Sequence, residues 1–489
     1  MAGSKARQKS VFVCQDCGYQ SPKWMGFCPA SSCGSTLPLE ETSRVPASLP
    51  STRWFDPSSE PLQELSKLDP LDQPRVQLPW EELNRVLGGG IVPGSVVLLA
   101  GEPGVGKSTL LLQIAQMVSA AGDKVLYVSG EESPHQIKLR SQRLGFNGDR
   151  VFLLTETDVD LVVERLEEFQ PKLALIDSIQ TLFCQDAPSG PGSVAQVREA
   201  GLRLMRWAKA RRTPIFMAGH MTKDGSLAGP RVLEHMVDVV TYLECQDMTS
   251  FRIMRNGKNR FGSTTEVGVF EMTAQGLVEV PDPSLALLSQ RYDQAVGSVL
   301  IPVLEGSRPL LLEVQALTSP SQIPVPRRVV NGVDYNRLLM LAAVAGRRAG
   351  LELSGQDIIV SVAGGFRVTE PASDLAVVLA LASSLYNRAV DSSLVAFGEV
   401  GLSGELRSVP QGQRRLQEAV RLGFSRCILP QSTVEAADVP RGIEVVAVRT
   451  LREALGAALG TRNNHRSSPT VGEHADRSVE AADGGGAGG

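Results

Sequence analysis

Val96-Val97-Leu98-Leu99-Ala100-Gly101-Glu102-Pro103-Gly104-Val105-Gly106-Lys107-Ser108-Thr109 is the stretch on which the fold turns. Its first five residues form an unbroken apolar run closed by a glycine loop, which reads as a buried parallel strand. An apolar stretch from Thr109 to Val118 then reads as a helix. Between them stands G-x4-G-K-[ST] in its required strand–loop–helix setting. The glycines let backbone N–H groups turn toward phosphate oxygens, and the helix N-terminus adds positive potential. Lys107 is expected at the β- and γ-phosphates of ATP, and the Ser108 hydroxyl on Mg²⁺. Nucleotide contacts are therefore expected from Gly101, Glu102, Pro103, Gly104, Val105, Gly106, Lys107, Ser108 and Thr109.

Three further runs read as strands that end in polar groups. Lys172–Asp177 (KLALID) places Asp177 where a carboxylate holds Mg²⁺ through water. A helix cap is the alternative for an isolated Asp. Lys124–Ser129 leads into Gly130-Glu131-Glu132. A carboxylate at the C-terminal end of a parallel strand faces the ligand crevice. Glu131 is therefore the candidate to activate the attacking water, with Glu132 in reserve and a solvated loop pair as the alternative. Ile215–His220 puts His220 at another strand end, as a γ-phosphate sensor or a structural histidine. Strands alternating with helices from Trp80 to about Val280 define an α/β fold with a parallel sheet.

The chain has 489 residues, 42% hydrophobic and 21% charged, with a net charge of −4. Such a length suggests two to four domains, and the balance is not that of a protein that coats DNA by bulk charge. No apolar run is long enough to span a membrane, and no apolar h-region follows the basic start MAGSKARQKS. No secretory signal and no membrane are expected, and the cytoplasm is the default location.

Seven cysteines are present, four of them within the first 33 residues. Cys14-x2-Cys17 and Cys28-x4-Cys33, ten residues apart, form two close thiolate pairs suited to one tetrahedral Zn²⁺. A redox CxxC is the alternative. With all four positions filled the zinc is structural. Nucleic acid and protein both suit such a module as partner. Cys184, Cys245 and Cys427 read as buried thiols. The expected organisation is a zinc module at 11–37 and a Pro/Ser/Glu-rich linker at 38–75. An ATPase domain at 76–283 and a second α/β region at 284–459 follow, with a disordered tail at 460–489.

Lys258-Asn259-Arg260-Phe261-Gly262 makes the resemblance specific. The strand order P-loop, Glu131, Asp177, His220 looks like a RecA/DnaB core. The KNRFG segment and the amino-terminal cysteines resemble those of the RadA (Sms) family of bacterial DNA-repair proteins. Residues after Ser284, notably Val333–Arg337, Ile358–Val360 and Phe397–Glu405, resemble the Lon peptidase domain. The likeness covers about residues 11–459. It implies a RecA-like ATPase ring, a hexamer, acting on single-stranded or branched DNA during recombination, with a RecA-type recombinase as partner.

Lys258 and Arg260 stand i, i+2, so on a strand they share a face. Two cations there suit the charge developing on a γ-phosphate held by the neighbouring subunit. An exposed basic turn and a DNA contact are the alternatives. Cys184–Val197 and Thr222–Arg231 are rich in Gly, Ser and Pro and are expected to be mobile DNA loops. Lys223, Arg231 and the basic stretch Arg198, Arg203, Arg206, Lys209, Arg211 and Arg212 are candidate phosphate contacts, or a solvated face.

Active Lon peptidases need a Ser–Lys pair. Matching the proline of Glu370–Ala376 places Ala372 at the nucleophile position, with Ser373 one residue off, and Gln413 falls at the lysine position. No lysine occurs between Leu353 and Leu459. A non-peptidase scaffold is expected, aiding oligomerisation and offering DNA contacts through Arg308, Arg327, Arg328 and Arg337. The function expected is a DNA-dependent ATPase of recombinational repair. A KaiC-like ATP-driven switch acting on protein and an ATP-dependent peptidase are the rivals.

Overall fold

The computed structural model describes most of residues 10–43, residues 64 and 66, and residues 74–460 except 188, 221–230, 246–249, 290, 293 and 437. Most of the expected linker, the tail beyond 460, and all of the Thr222–Arg231 loop except Arg231, including Lys223, lie outside the described residues.

Near the amino terminus three short strands, β1 (Ser10–Val13), β2 (Gln20–Ser21) and β3 (Glu40–Ser43), form a sheet in the order β2-β1-β3. Strand β3 falls within the stretch read as linker. All four of its residues pair with β1, Ser10 opposite Ser43 through Val13 opposite Glu40. The sequence of β3, Glu40-Glu41-Thr42-Ser43, is polar throughout, so no apolar alternation marks the strand.

The central sheet has nine strands in the order β12-β11-β10-β9-β4-β8-β7-β5-β6. Its parallel part comprises β4 (Val96–Gly101), β5 (Val125–Ser129), β6 (Val151–Leu154), β7 (Leu173–Asp177), β8 (Ile215–His220) and β9 (Val239–Cys245). Antiparallel hairpins then extend one edge with β10 (Phe251–Asn259), β11 (Val267–Thr273) and β12 (Gly276–Glu279). Alternation in the decisive strand sorts the core into two layers. Val97 and Leu99 pack with helix α2 (Lys107–Ala120), behind short α1 (Glu81–Val86). Val96 and Leu98 pack on the other face with α4 (Val159–Phe169) and α5 (Val194–Arg211). Between β5 and β6 runs α3 (Pro134–Arg143), and α6 (Arg231–Met236) precedes β9. Gly101, Ser129, Asp177 and His220 thus end four parallel strands along one rim, where open α/β sheets bind ligands.

After the break at Pro281-Asp282-Pro283 comes α7 (Pro283–Leu288), capped by Asp282. A mixed seven-stranded sheet follows, built from β13 (Ser298–Glu305), β14 (Arg308–Pro320), β15 (Arg328–Asn331), β16 (Gln356–Val362), β17 (Leu394–Ala396), β20 (Arg426–Pro430) and β21 (Glu444–Val448). The hairpin β18 (Glu399–Val400) and β19 (Leu406–Arg407) stands apart from it. Helices α8 (Tyr335–Val344), α9 (Asp374–Leu385) and α10 (Gly412–Arg421) flank it, and α9 is buried from Asp374 through Ser383. The core of this domain takes in Ile253 and Val267 of the central sheet, so the two domains share apolar contacts. Among the described residues no helix is long and apolar enough to cross a membrane.

The four arginines expected at DNA contacts differ in their surroundings. Arg308 is largely buried, paired with buried Glu82 of the ATPase domain and donating to the Pro281 carbonyl. Arg328 is bound to the carbonyls of Gln356 and Leu353. Arg337 is fixed on fully buried Asp374. All three guanidiniums are engaged within the fold, and for Arg308 the pairing answers its burial. Arg327 is exposed. Cys245 is also exposed, contrary to expectation, whereas Cys184 and Cys427 are buried.

Candidate active site

The P-loop is shaped by its glycines. Gly104 and Gly106 have φ of +80° and +118°, and a Cβ at Gly106 would stand 2.5 Å from the Met272 side chain. Gly106 caps α2 without a side chain, leaving the first turn's N–H groups facing the loop. Lys107 is buried, and its ammonium donates to the carbonyls of Gly101 at 2.8 Å and Glu102 at 2.9 Å. Burial pulls its pKa below the usual lysine value, against the support of the Asp177 and Glu131 carboxylates. From the hairpin side, Arg252 Nε donates to the Val105 carbonyl at 3.1 Å and steadies the loop.

Asp177 is nearly buried at the end of β7 and accepts a 2.6 Å hydrogen bond from the Tyr127 hydroxyl. Burial and the Asp177 charge drive the Tyr127 pKa well above the usual phenol value, so Tyr127 stays a donor. The two glutamates after β5 separate cleanly. Glu132 is ion-paired to Arg140 of α3. Glu131 turns to the rim instead, accepting from Ser178 Oγ at 2.5 Å, with His220 Nε2 at 3.2 Å. Burial alone would raise the Glu131 pKa. Hydrogen bonds from Ser178 and His220 and the Lys107 charge outweigh it and leave the pKa below the usual value. Sequence reasoning missed Tyr127, Ser178 and Arg252.

These residues suit ATP and Mg²⁺: a cationic loop with free N–H groups, a hydroxyl at Ser108, and a fixed carboxylate at Asp177. Mg²⁺, when bound, supplies positive charge to the β- and γ-phosphate oxygens. Within the chain, Lys107 lies on the loop carbonyls, Tyr127 holds Asp177, and Ser178 and His220 hold Glu131 at the rim.

The KNRFG segment lies elsewhere. Strand register sets Asn259 opposite Val239 and Val239 opposite Val97, near the start of β4. The P-loop leaves from Gly101, about 13 Å further along the strand. A register shift between Asn256 and Lys258 and the end of β10 at Asn259 change the simple i, i+2 picture. Both cations nonetheless converge on the corner between α6 and β9. Lys258 donates to the carbonyls of Glu234 at 2.8 Å and His235 at 3.0 Å, and Arg260 reaches Asp238 at 3.2 Å. Asn259 binds the Val86 carbonyl, and Phe261 packs against the core. Gly262 touches Gly88 backbone to backbone, where a Cβ would stand 2.7 Å from the Gly88 Cα.

The loop expected to be mobile at Cys184–Val197 is held. Buried Gln196 accepts from the Cys184 amide at 2.7 Å and donates to the carbonyls of Cys184, Ala187 and Ser189. On the basic helix, Arg203 pairs with Asp160, Asp186 and Glu199, Lys209 with Asp238, and Arg211 with Glu167. Arg198 is exposed.

The sulfurs of Cys14, Cys17, Cys28 and Cys33 lie within 4.8 Å of one another. Cys14 and Cys33 are 3.7 Å apart and Cys17 and Cys28 3.4 Å. Thiolates around a tetrahedral zinc stand about 3.8 Å apart, so the set fits Zn²⁺.

In the carboxy-terminal domain Ala372 and Ser373 are buried in a short turn before α9, and Ser373 Oγ donates to the Glu370 carbonyl. Around them stands an ion pair, Arg415 on Glu370 at 2.5–2.8 Å, with Arg415 also bound to the Pro302 carbonyl.

Fold and rim together define a P-loop ATPase. An AAA domain family matches residues 61–226. The DNA repair protein RadA of Bacillus subtilis (strain 168) is 46% identical over 458 residues, covering 93% of this chain and 100% of that protein. RadA of Listeria monocytogenes is 45% identical over 462 residues, covering 93% and 99%. A solved KaiC-like protein from Pyrococcus horikoshii OT3 shares 21% identity over 42% of this chain and 99% of its own, at a TM-score of 0.36, too loose to bear on function. The chain belongs to the DNA repair protein RadA family.

Proposed function

We propose that this protein is a DNA-dependent ATPase that assembles into a ring, a hexamer, and moves on single-stranded or branched DNA in the cytoplasm. There it would process or branch-migrate recombination intermediates beside a RecA-type recombinase. The observation that carries the reading is the position of KNRFG. Arg260 is half exposed, at the end of the sheet opposite its own phosphate loop. It therefore cannot serve its own nucleotide, and its exposed guanidinium suits the γ-phosphate of a neighbour. Lys258 in this reading ties α6 to the same corner. Within one subunit, Lys107 grips the phosphates, Asp177 orders the metal, Glu131 activates water and His220 senses the γ-phosphate by sharing Glu131.

The carboxy-terminal domain is read as a Lon-like scaffold without peptidase chemistry, since Ala372 and Gln413 offer neither nucleophile nor base. Leu317, Ile359 and Val329 lie side by side across β14, β16 and β15, all exposed. Such an apolar row supports a role in oligomerisation. The test is strand displacement on a forked DNA labelled on one strand. The parent protein should release the strand with ATP, and Lys258→Ala should bind ATP normally yet release little. Unwinding at the parent rate in Lys258→Ala would contradict the coupling role.

A further inference from the structure

Asp238 lies in the corner between α6 and β9 with a side chain only 3% exposed. Its Oδ2 accepts the Val96 amide at 3.0 Å and the Lys209 ammonium at 2.6 Å, and its Oδ1 accepts Arg260 at 3.2 Å. Its backbone N–H donates to the Val96 carbonyl at 3.0 Å, and its carbonyl accepts the Arg260 amide at 3.1 Å. One residue thus joins the start of the phosphate-loop strand, the last turn of α5, and the arginine of KNRFG.

A buried carboxylate needs one cation, and Lys209 supplies it. Arg260, with a side chain 53% exposed, is a second cation on the same group. Because Lys209 already balances Asp238, the guanidinium keeps its charge for another anion. Asp238 engages Nη1, and a guanidinium has further N–H donors in a rigid fork. The tether fixes the direction of the fork without covering it. The other end of α5 holds the 184–189 loop through Gln196, so the same helix touches both ends of the domain.

We propose that Asp238, braced by Lys209, is the positioning residue that aims Arg260 at the neighbouring subunit's nucleotide and ties that aim, through Val96, to its own phosphate-loop strand. The inference rests on the reading that Arg260 acts across the subunit interface.

The test uses full-length protein and trans-complementation. Asp238→Asn keeps the size of the side chain and an acceptor for Val96. It should lower kcat on the order of 10²-fold, the scale of a misplaced catalytic group, with KM for ATP little changed. Mixed with Lys107→Ala subunits, whose own site is dead but whose Arg260 is intact, it should regain turnover above the sum of the two variants alone. A purely structural defect of its own site would not be rescued in this way. If Asp238→Asn is unstable, the charge-balanced Asp238→Asn/Lys209→Gln protein reads the same. Arg260→Ala with Lys107→Ala is the parallel mixture. Complementation by Arg260→Ala but not by the Asp238 variants overturns the role of Asp238 and leaves the proposed function standing. Failure of both mixtures removes the action across the interface, and the role of Asp238 with it.

Discussion

At the scale of single residues, Glu131 and Glu132 show how neighbours take different work. Glu132 is bound to Arg140, whereas Glu131 is held at the rim by Ser178 and His220. Glu131→Gln should bind ATP and lose about 10²–10⁴-fold in turnover, the usual worth of a general base. Glu132→Gln should stay near the parent rate, and a reversed order in steady-state assays would contradict the assignment. The pH profile follows the same geometry. With its pKa held below the usual glutamate value, Glu131 is ionised throughout the neutral range. Its acid limb should therefore fall below the ordinary glutamate range, and a limb above that range would count against it as base. Lys107 and Asp177 are legible in the sequence because their motifs are local. Tyr127, Ser178 and Arg252 are not, because their partners lie 50, 47 and 147 residues away and only the sheet order brings them together.

At the scale of elements, the decisive strand and the loop after it could be read directly, since apolar length and glycine spacing are local properties. The 184–197 loop could not. Its composition suggests mobility, but Gln196 ties its backbone down, and one buried amide among polar residues leaves no pattern. Gln196→Ala would strand the loop's polar groups. It should lower DNA-stimulated turnover while unstimulated turnover persists, and equal loss of both would point to a general folding role. The four-sulfur cluster is legible from its cysteines, but the third strand beside it is not. Cys28→Ser should abolish equimolar zinc binding, measured by metal release, while ATP binding remains. Retained zinc would contradict the four-sulfur site.

At the scale of the whole molecule, the two larger domains are locked. Arg308 on Glu82 and Arg255 on Glu305 cross from one to the other. Sequence spacing could place these arginines on neither surface nor interface, because burial is a property of the assembled fold. Arg308→Ala leaves Glu82 buried with one partner fewer and should cost about 3 kcal/mol of stability, seen as a lower Tm by calorimetry. An unchanged Tm would mean the pair is not a lock. The proposed motor, whose hydrolysis answers to DNA, is tested by the steady-state ATPase rate with and without single-stranded DNA at fixed salt, alongside Lys107→Ala. Strong stimulation that vanishes in the variant is expected of such a motor. A rate indifferent to DNA would contradict it and point to a switch directed at a protein.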